Sequence, residues 1–489
     1  MSIKNENTFT AARLGLRYGL LGFSILLLSG CANLMGIMPF SKPEVETPQA
    51  WPSLPQNAVA ASDVEWWKLY HDDTLNALVA EGLEHNHDIA LAAARIEQAR
   101  AQVTLASADQ DPTAYANFGP TYNQNSQSDT FKLPRRTRQW DAKLNVSYEV
   151  DLWGKYSRAT EAARADLLAS ESAQDTVRNT LTAQLVQGYF AIQALDKQIM
   201  VAQRTEETRR DSLKLQQMRL DAGISSEFEV RQLEADLAAV QAEIPALKNQ
   251  RVQQNNALTV LLGRSPKVMV ENSIATADTA VTPENVVPAG LPSELLLRRP
   301  DLREAEQRLE AANGRVAVAR TAYYPSITLT GFFGGESQSL SDLFLGPARI
   351  FSFAAGLTQP IFDGKRIGAS VKEAQATEDQ AIAQYRLAIA NAFREVQDAL
   401  SAQQAAREIQ MADSARVAAL QKALGLARLR YSNGVSSQLD VLDAERNLLQ
   451  SEIDFIDAER LQRFAVADLF KAMGGGWHAE KTAAATKPD

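Results

Sequence analysis

The sequence predicts an α+β fold of very long helices and short β-hairpins, and it predicts that this unit occurs twice. Residues 220–226 end in Gly-Ile-Ser-Ser, and residues 431–437, 211 positions later, end in Gly-Val-Ser-Ser. Gly154-Lys155 reappears as Gly364-Lys365 at a shift of 210 positions. Because internal repeats decide the architecture of a whole chain, we expect one duplicated fold. The 489 residues alone would suggest two or three unrelated domains.

Residues 155–221 and 365–432 each predict one continuous helix, because neither segment contains proline and both contain little glycine. In the first segment, small or apolar residues recur at alternating spacings of four and three: Leu181, Leu185, Gly188, Ile192, Leu195, Ile199 and Ala202. This heptad spacing is typical of coiled coils rather than of helices in a globular core. A helix of about 67 residues is about 100 Å long, so we expect it to project far from whatever anchors the chain.

Two shorter helices, residues 227–262 and 301–323, are expected to return antiparallel to the first long helix. Their summed length nearly equals that of the long helix, so we expect them to stack end to end. Pro245 should kink the first of them or break it in two. Residues 263–292 would form an equatorial linker, which meets residues 63–87 in a collar at the break.

The hydrophobic period changes to two at residues 140–150, where six apolar residues alternate with five polar ones. This alternation predicts a β-strand with one apolar and one polar face. We expect β-hairpins at residues 113–150 and 326–361, the first preceded by a helix with Asp88 as its N-cap. Each strand has about ten residues or slightly more, which suits a tilted transmembrane strand. A half-buried sheet in a soluble domain is the alternative, and two hairpins that each lead into a long helix disfavour it.

Four strands cannot close a barrel in one chain. An open sheet edge is excluded in lipid, because every backbone amide there must be paired within the protein. Eight strands would give a barrel filled by its own side chains, whereas about twelve should leave an aqueous lumen. The sequence therefore predicts a homotrimer with a 12-stranded β-barrel, four strands per chain.

The N-terminus predicts a targeting segment. Residues 1–30 combine basic residues, an apolar stretch and a small-residue end, which is typical of a cleaved secretory signal peptide. Cys31, the only cysteine, follows Leu-Ser-Gly in a pattern that resembles a bacterial lipobox, so we expect a covalent lipid on Cys31 that anchors the chain in outer membrane lipid. The proline-rich residues 31–61 predict an extended tether, and residues 475–489 predict a disordered tail.

Composition excludes several other classes of function. The net charge of −9 disfavours nucleic acid as a partner. One cysteine allows no intrachain disulfide, and four histidines leave little material for metal or acid–base chemistry. We therefore expect no enzyme, no metal site and no cofactor other than the lipid on Cys31.

Five motifs carry a family resemblance, and they are Trp66-Trp67-x-x-Tyr70-x-Asp72, Asn86-His87-Asp88, Asp151-Leu152-Trp153-Gly154, Arg298-Arg299-Pro300-Asp301-Leu302 and Tyr431-x-x-Gly434-x-x-x-x-Leu439-Asp440-Val441-Leu442. With them, essentially the whole mature chain resembles the TolC-like outer membrane factors, specifically their lipid-anchored NodT-type branch. The resemblance implies a trimeric tunnel, in which the 12-stranded β-barrel is continued by a long α-helical barrel. This tunnel docks onto a periplasmic adaptor protein and an inner-membrane pump of the RND type. Such tunnels expel drugs or other toxic small molecules. An exit duct for metal cations or for type I protein secretion shares the fold, and a non-conducting periplasmic coiled-coil lipoprotein is the alternative from another class.

The resemblance also implies the functional residues. The turns after the two long helices would form the periplasmic tip that an adaptor contacts, through Gly223, Ile224, Ser225, Ser226, Gly434, Val435, Ser436 and Ser437. Asp440 and Asp443, at i and i+3 on one helical face, match the acidic pair that lines the pore constriction, where rings of carboxylates attract cations. Two solvated surface acids are the alternative.

Glu229 and Tyr431 match gate contacts that hold closed tunnels of this family shut. Ser436 stands where some members have an arginine, which puts the usual ion-pair lock in doubt. Arg231 and Arg430 are the candidates to replace that arginine.

Overall fold

A computed structural model describes residues 65–125, 136–277 and 295–475, with short pieces at 42–43, 46, 48, 59–61, 281–283 and 286–288. The chain divides into residues 1–44, of which only 42 and 43 are described, and residues 45–489, which contain every element described below. The predicted signal peptide, Cys31 and the tail beyond residue 475 lie outside the described residues.

The first half of the chain comprises β1 (Val59–Ala61), a 3₁₀ turn (Trp66–Tyr70), α1 (Asp73–His85), α2 (His87–Ala108), β2 (Thr113–Gln124), β3 (Arg136–Glu149), α3 (Lys155–Asp221) and α4 (Glu227–Leu261). The second half comprises α5 (Pro266–Glu271), β4 (Val286–Pro288), α6 (Leu295–Arg298), α7 (Pro300–Thr321), β5 (Ser326–Ser337), β6 (Arg349–Thr358), α8 (Arg366–Ser432) and α9 (Gln438–Ala472). In each half a helix leads into a hairpin, a helix of 67 residues and a helix of 35 residues. Among the described residues, no helix has both the length and the apolar character needed to cross a bilayer.

Each 67-residue helix starts next to an aspartate. The Asp151 carboxylate accepts hydrogen bonds from the backbone N–H groups of Tyr156 and Ser157, at 3.2 and 2.8 Å. The Asp363 carboxylate accepts equivalent bonds from Lys365 and Ile367, at 2.9 and 2.6 Å. The first amides of a helix lack intrahelical partners, so these aspartates stabilise the start of α3 and of α8.

The four long strands form one antiparallel sheet in the order β2-β3-β5-β6. Directly opposed residues lie on the same face, and one such row runs through Ala116, Leu144, Phe333 and Phe351. The neighbouring row on the other face includes Asn117 and Lys143. The predicted alternation of an apolar and a polar face is therefore present across the whole sheet.

The helix ends that meet differ from those expected. The C-terminus of α4 meets α2, where the Asn86 side chain donates a hydrogen bond to the Leu261 carbonyl at 2.8 Å. The same side chain accepts bonds from the N–H groups of Asp88 and Ile89. Asn86 is therefore the N-cap of α2, and the assignment of Asp88 as N-cap is wrong, because Asp88 already lies in the first helical turn.

The second half repeats this junction. Arg299 precedes α7 and donates through Nη1 to the carbonyl of Ala472, the last residue of α9, at 2.9 Å. α7 thus meets α9, rather than stacking on α4 as its place in the chain suggested. α4 also runs without a break through Pro245, so that proline does not divide it.

The middle of α3 is buried on most of its surface, which a simple coiled coil would not be. Tyr189 and Phe190 are buried in addition to the predicted heptad positions nearby. The N-terminal segment packs here: Trp66 stacks on Phe470 of α9 with ring centroids 5.1 Å apart, and the Tyr70 hydroxyl donates to the Arg463 carbonyl at 2.7 Å. This is a globular core at the level where the helix ends meet.

A short parallel sheet joins the last residues of the predicted tether to the predicted linker. β1 pairs with β4, with Val59 opposite Val286. Arg264 forms two hydrogen bonds to Glu81, at 2.6 and 2.7 Å. The collar therefore connects the start of the described chain to the segment between the two halves.

Gly263 and Gly223 offer a matched test of the collar. Both have a left-handed backbone, with φ of 70° and 71°. A Cβ at Gly263 would lie 2.1 Å from the His85 carbonyl oxygen, whereas a Cβ at Gly223 would meet nothing within 4 Å. The left-handed conformation alone costs about 1–2 kcal/mol for alanine. We expect Gly263→Ala to lower the thermal unfolding midpoint, followed by circular dichroism, clearly more than Gly223→Ala; equal shifts would contradict the close contact.

Candidate functional site

The two turns at the ends of α3 and α8 have the same geometry. The N–H of Ile224 bonds to the Arg219 carbonyl at 2.8 Å, and the N–H of Val435 bonds to the Arg430 carbonyl at 3.0 Å. These are Schellman caps, which need a left-handed residue, and Gly223 and Gly434 supply it with φ of 71° and 70°. Both predicted tip glycines therefore have a structural role in reversing the chain.

Apolar side chains project from both turns at equivalent positions. Ile224 and Val435 are 76% and 65% exposed, and one helical turn later Phe228 and Leu439 are 72% and 45% exposed. Exposed apolar side chains grouped in this way are typical of protein interaction sites. Phe228 and Leu439 were not predicted; their spacing of four residues from Ile224 and Val435 is the signal that could have found them.

Glu229 lies in a compact hydrogen-bond network on α4. Its carboxylate accepts bonds from the Ser225 hydroxyl at 2.5 Å, from the Ser226 amide at 3.1 Å and from Gln216 Nε2 at 3.1 Å. The Ser225 and Ser226 bonds lower the pKa of Glu229 below its ordinary value of 4.5. Glu229 also completes a capping box with Ser226.

Tyr431 is joined to this network across the two halves of the chain. Its hydroxyl accepts a bond from Arg219 Nη1 at 2.6 Å and donates to Gln216 Oε1 at 3.2 Å. The guanidinium of Arg219 also lies over the Tyr431 ring, 5.3 Å from its centroid. Glu229 and Tyr431 are thus brought together through Gln216, which is 3% exposed.

Sequence reasoning missed Gln216 and Arg219, although their i, i+3 spacing places them on one face of the last turns of α3. Of the two arginines named as replacements at the lock, Arg231 is wrong for that role, because it pairs with Glu227 and Glu234 on its own helix. Arg430 is not in the hydrogen bonds to Tyr431 either; its charge helps to lower the pKa of Asp440. In this chain, Arg219 makes the contact to Tyr431.

Asp440 and Asp443 lie on the exposed face of α9 near its start. The Asp440 carboxylate accepts bonds from the Ser436 hydroxyl at 2.5 Å and from the Ser437 amide at 3.1 Å, and the Ser436 bond is the main cause of its lowered pKa. Asp443 lies 3.5 Å from Arg446 Nη1 and its side chain is 57% exposed. Both carboxylates are therefore available to line a passage, and that role stays a prediction.

An ion pair with a buried carboxylate fixes Arg446. Its Nη2 and Nε donate to Asp236 Oδ1 on α4 at 2.5 and 3.0 Å, and the Asp236 side chain is 7% exposed. The buried Arg209 on α3 donates to the Asp236 carbonyl at 2.8 Å, and burial lowers the pKa of Arg209. This cluster is a second link between the halves, and no periodic pattern in the sequence predicted it.

Comparison with known proteins identifies the family. The profile described as "Outer membrane efflux protein" matches residues 78–264 and again residues 291–475, so the same profile fits both halves. The chain belongs to the outer membrane efflux protein family.

Curated relatives match this efflux protein over nearly its full length. The probable outer membrane lipoprotein SilC of Salmonella typhimurium is 32% identical and covers 93% of this chain and 97% of SilC. The cation efflux system protein CusC of Escherichia coli K12 is 32% identical, and the match covers 94% of this chain and 99% of CusC. The toluene efflux pump outer membrane protein TtgC of Pseudomonas putida is also 32% identical, and the match covers 94% of this chain and 96% of TtgC.

The fold is that of solved outer membrane channels. The Campylobacter jejuni CmeC outer membrane channel superposes with a TM-score of 0.86 at 25% identity, covering 91% of this chain and 95% of CmeC. The predicted TolC-like fold is therefore confirmed, and the efflux protein is an outer membrane protein.

Acidification should weaken the tip network. Because the folded-state pKa of Glu229 is lowered, its stabilising effect is complete above pH 4.5 and is lost as the pH falls through the lowered value. We expect single-channel conductance in planar bilayers to rise below that pH. In Glu229→Gln the side chain is neutral, so its hydrogen bonds lose the contribution of the negative charge. This variant should show the higher conductance already at pH 7. Glu234→Gln is the control, because Glu234 pairs only along its own helix; an equal effect of both variants would exclude the gate role.

Proposed function

We propose that this efflux protein is the exit channel of a tripartite pump, and that it works as a homotrimer. The supporting observation is that each edge strand of the sheet is continuous with a helix at the corresponding edge of the helical layer. Among the strands that the structure describes, β2 and β6 are the two free edges of this sheet. α2, which leads into β2, packs mainly against α3, and α8, which follows β6, packs mainly against α7 and α9. Each side therefore presents one free strand continued by one free helix.

Pairing β6 of one copy with β2 of the next would satisfy both edges and also bring α8 against the neighbouring α2 and α4. Unpaired strand edges are excluded from lipid, so closure is required rather than optional. Three copies give twelve strands, about the number at which a barrel leaves an aqueous lumen. The homotrimer is the smallest ring that meets both conditions.

The exposed apolar face of the sheet supports contact with lipid. Phe118, Phe333, Phe351 and Phe353 are 65%, 62%, 72% and 83% exposed. A soluble protein rarely exposes so much contiguous apolar surface. The opposite face carries polar side chains such as Asn117 and Lys143, which would line the lumen.

The channel is passive in this proposal, with no catalytic step. Energy comes from an inner-membrane pump of the RND type, and a periplasmic adaptor protein binds the exposed apolar tip around Ile224 and Val435. The rings formed by Asp440 and Asp443 constrict the pore and favour cations. The contacts of Glu229 and Tyr431 hold the tip closed until the adaptor engages it.

We propose drugs or other toxic small molecules as the cargo. TtgC is named for toluene efflux and CusC for cation efflux, and both are 32% identical to this chain. Deletion of the gene, followed by growth assays against solvents, antibiotics and copper or silver salts, distinguishes toxic small molecules from metal cations as the cargo. Sensitivity to the metal salts alone would assign the channel to cation efflux.

The lipid on Cys31 is proposed as the second anchor, and the naming of SilC as a lipoprotein supports it. Metabolic labelling with a fatty acid should mark the wild-type protein and leave Cys31→Ser unlabelled. The Cys31→Ser protein should still form trimers, because the apolar face of the sheet is unchanged. Labelling of the serine variant would contradict the assignment.

Trimer formation and conductance test the central proposal. Purified protein in detergent should run as a heat-dissociable trimer and form channels in planar bilayers. Asp440→Ala combined with Asp443→Ala should raise conductance and reduce cation selectivity, because two rings of charge are removed. Asp457→Ala is the control for the loss of an exposed carboxylate on the same helix, since Asp457 pairs with Arg460 there. Unchanged conductance and selectivity in the double variant would remove these residues from the constriction.

A further inference from the structure

The charged residues of the described strands are sorted by face. On the polar face lie three acids and one lysine, namely Asp141, Glu149, Glu336 and Lys143. On the apolar face the charged residues are all arginines, namely Arg136, Arg138 and Arg349. This sorting occurs in a chain whose net charge is −9, so it does not reflect an overall excess of basic residues.

The acids on the polar face are paired with lysines, whereas the arginines on the apolar face have no acidic partner among the described residues. Lys143 Nζ lies 2.8 Å from Asp141 and 3.2 Å from Glu336. Among the residues that the structure describes, Arg136, Arg138 and Arg349 have no carboxylate within ion-pair distance. A guanidinium beside hydrocarbon without a counter-ion is costly, so an anion from outside the described chain is expected there.

The arginines lie at the end of the sheet that is farthest from the helices. Arg136 and Arg138 open β3, and Tyr148, ten residues after Arg138, lies on the same face near the helical end. Ten residues span about 34 Å along a strand, or about 26 Å of height at a tilt of about 40°. The apolar band of a membrane barrel is about 25 Å tall, so Arg138 is placed at the outer boundary of the hydrocarbon.

Aromatic rings hold Arg138 in position on this face. Its guanidinium lies 5.3 Å from the ring centroids of both Tyr122 and Trp140. Aromatic residues of this kind are enriched at the membrane–water interface, and the cation–π contacts orient the guanidinium without neutralising its charge. Arg136 is two residues away on the same face, about 7 Å along the strand, which is close enough for both guanidiniums to reach one anion.

We propose that Arg136 and Arg138 bind a phosphate group on the headgroup of a lipid in the outer leaflet, with Arg349 extending the basic surface around the barrel. Planar guanidiniums bind phosphate oxygens through two parallel hydrogen bonds. The apolar face below them accommodates the acyl chains of the same lipid. The proposal rests on the proposed function, because it requires that the apolar face lies in a membrane.

Lipid retention by the purified trimer tests it, measured by native mass spectrometry after exchange into detergent. The probes are phosphatidic acid, diacylglycerol with the same acyl chains, and inorganic phosphate. We expect wild-type protein to retain phosphatidic acid and not diacylglycerol. Each arginine near a charged lipid surface contributes about 1 kcal/mol, or about fivefold in affinity, so Arg136→Gln combined with Arg138→Gln should weaken retention by about 25-fold. Arg138→Lys should retain an intermediate affinity.

The matched control is Arg210→Gln combined with Arg308→Gln, which removes the same charge from exposed arginines paired on α3 and α7. Equal retention by the two double variants would overturn the proposal, and so would displacement of phosphatidic acid by millimolar inorganic phosphate. Conductance of each variant is recorded in parallel. A wild-type protein without trimers or conductance would refute the channel itself, whereas a conducting trimer that retains both lipids equally would refute only the phosphate site.

Discussion

The unpaired backbone along β2 and β6 is the constraint on which the rest of this protein depends. A sheet of four strands has two edges whose N–H and C=O groups need partners, and hydrocarbon offers none. The chain places a free helix next to each free strand, so the contact that closes the sheet also closes the helical layer. In the proposed trimer, one requirement of the backbone therefore closes both the sheet and the helical layer.

Because the chain is duplicated, the same helix junction occurs in both halves. Asn86 and Arg299 occupy equivalent places, and each satisfies a terminal carbonyl of the neighbouring helix with its side chain. The same solution is thus reached with an amide in one half and a guanidinium in the other. The halves have diverged at the tip as well, where Glu229 is tied to Gln216 and Ser225 while Asp440 bonds to Ser436 and Ser437.

The two links between the halves differ in how they respond to conditions. The contact of Arg219 with Tyr431 lies at the tip, where solvent can compete for its hydrogen bonds. In the pair of Arg446 with Asp236 only the Asp236 carboxylate is buried, and separating it from Arg446 would leave a buried charge without compensation. This pair is therefore suited to keeping the helices together, and the tip link is the one that the proposed gate would break. Asp443 lies between these two regions, within reach of Arg446.

The sequence by itself determined the duplication, the long helices, the two-faced strands and the turns at Gly223 and Gly434, because each depends on residues close together in the chain. Helix bounds followed from the absence of proline, strand faces from alternation, and the turns from glycine at a left-handed position. The tertiary structure alone decided that α2 meets α4 and α7 meets α9, that the middle of α3 is a globular core, and that Arg219 contacts Tyr431. These depend on which surfaces meet between residues 173 to 212 positions apart, and no local period encodes a pairing at that distance.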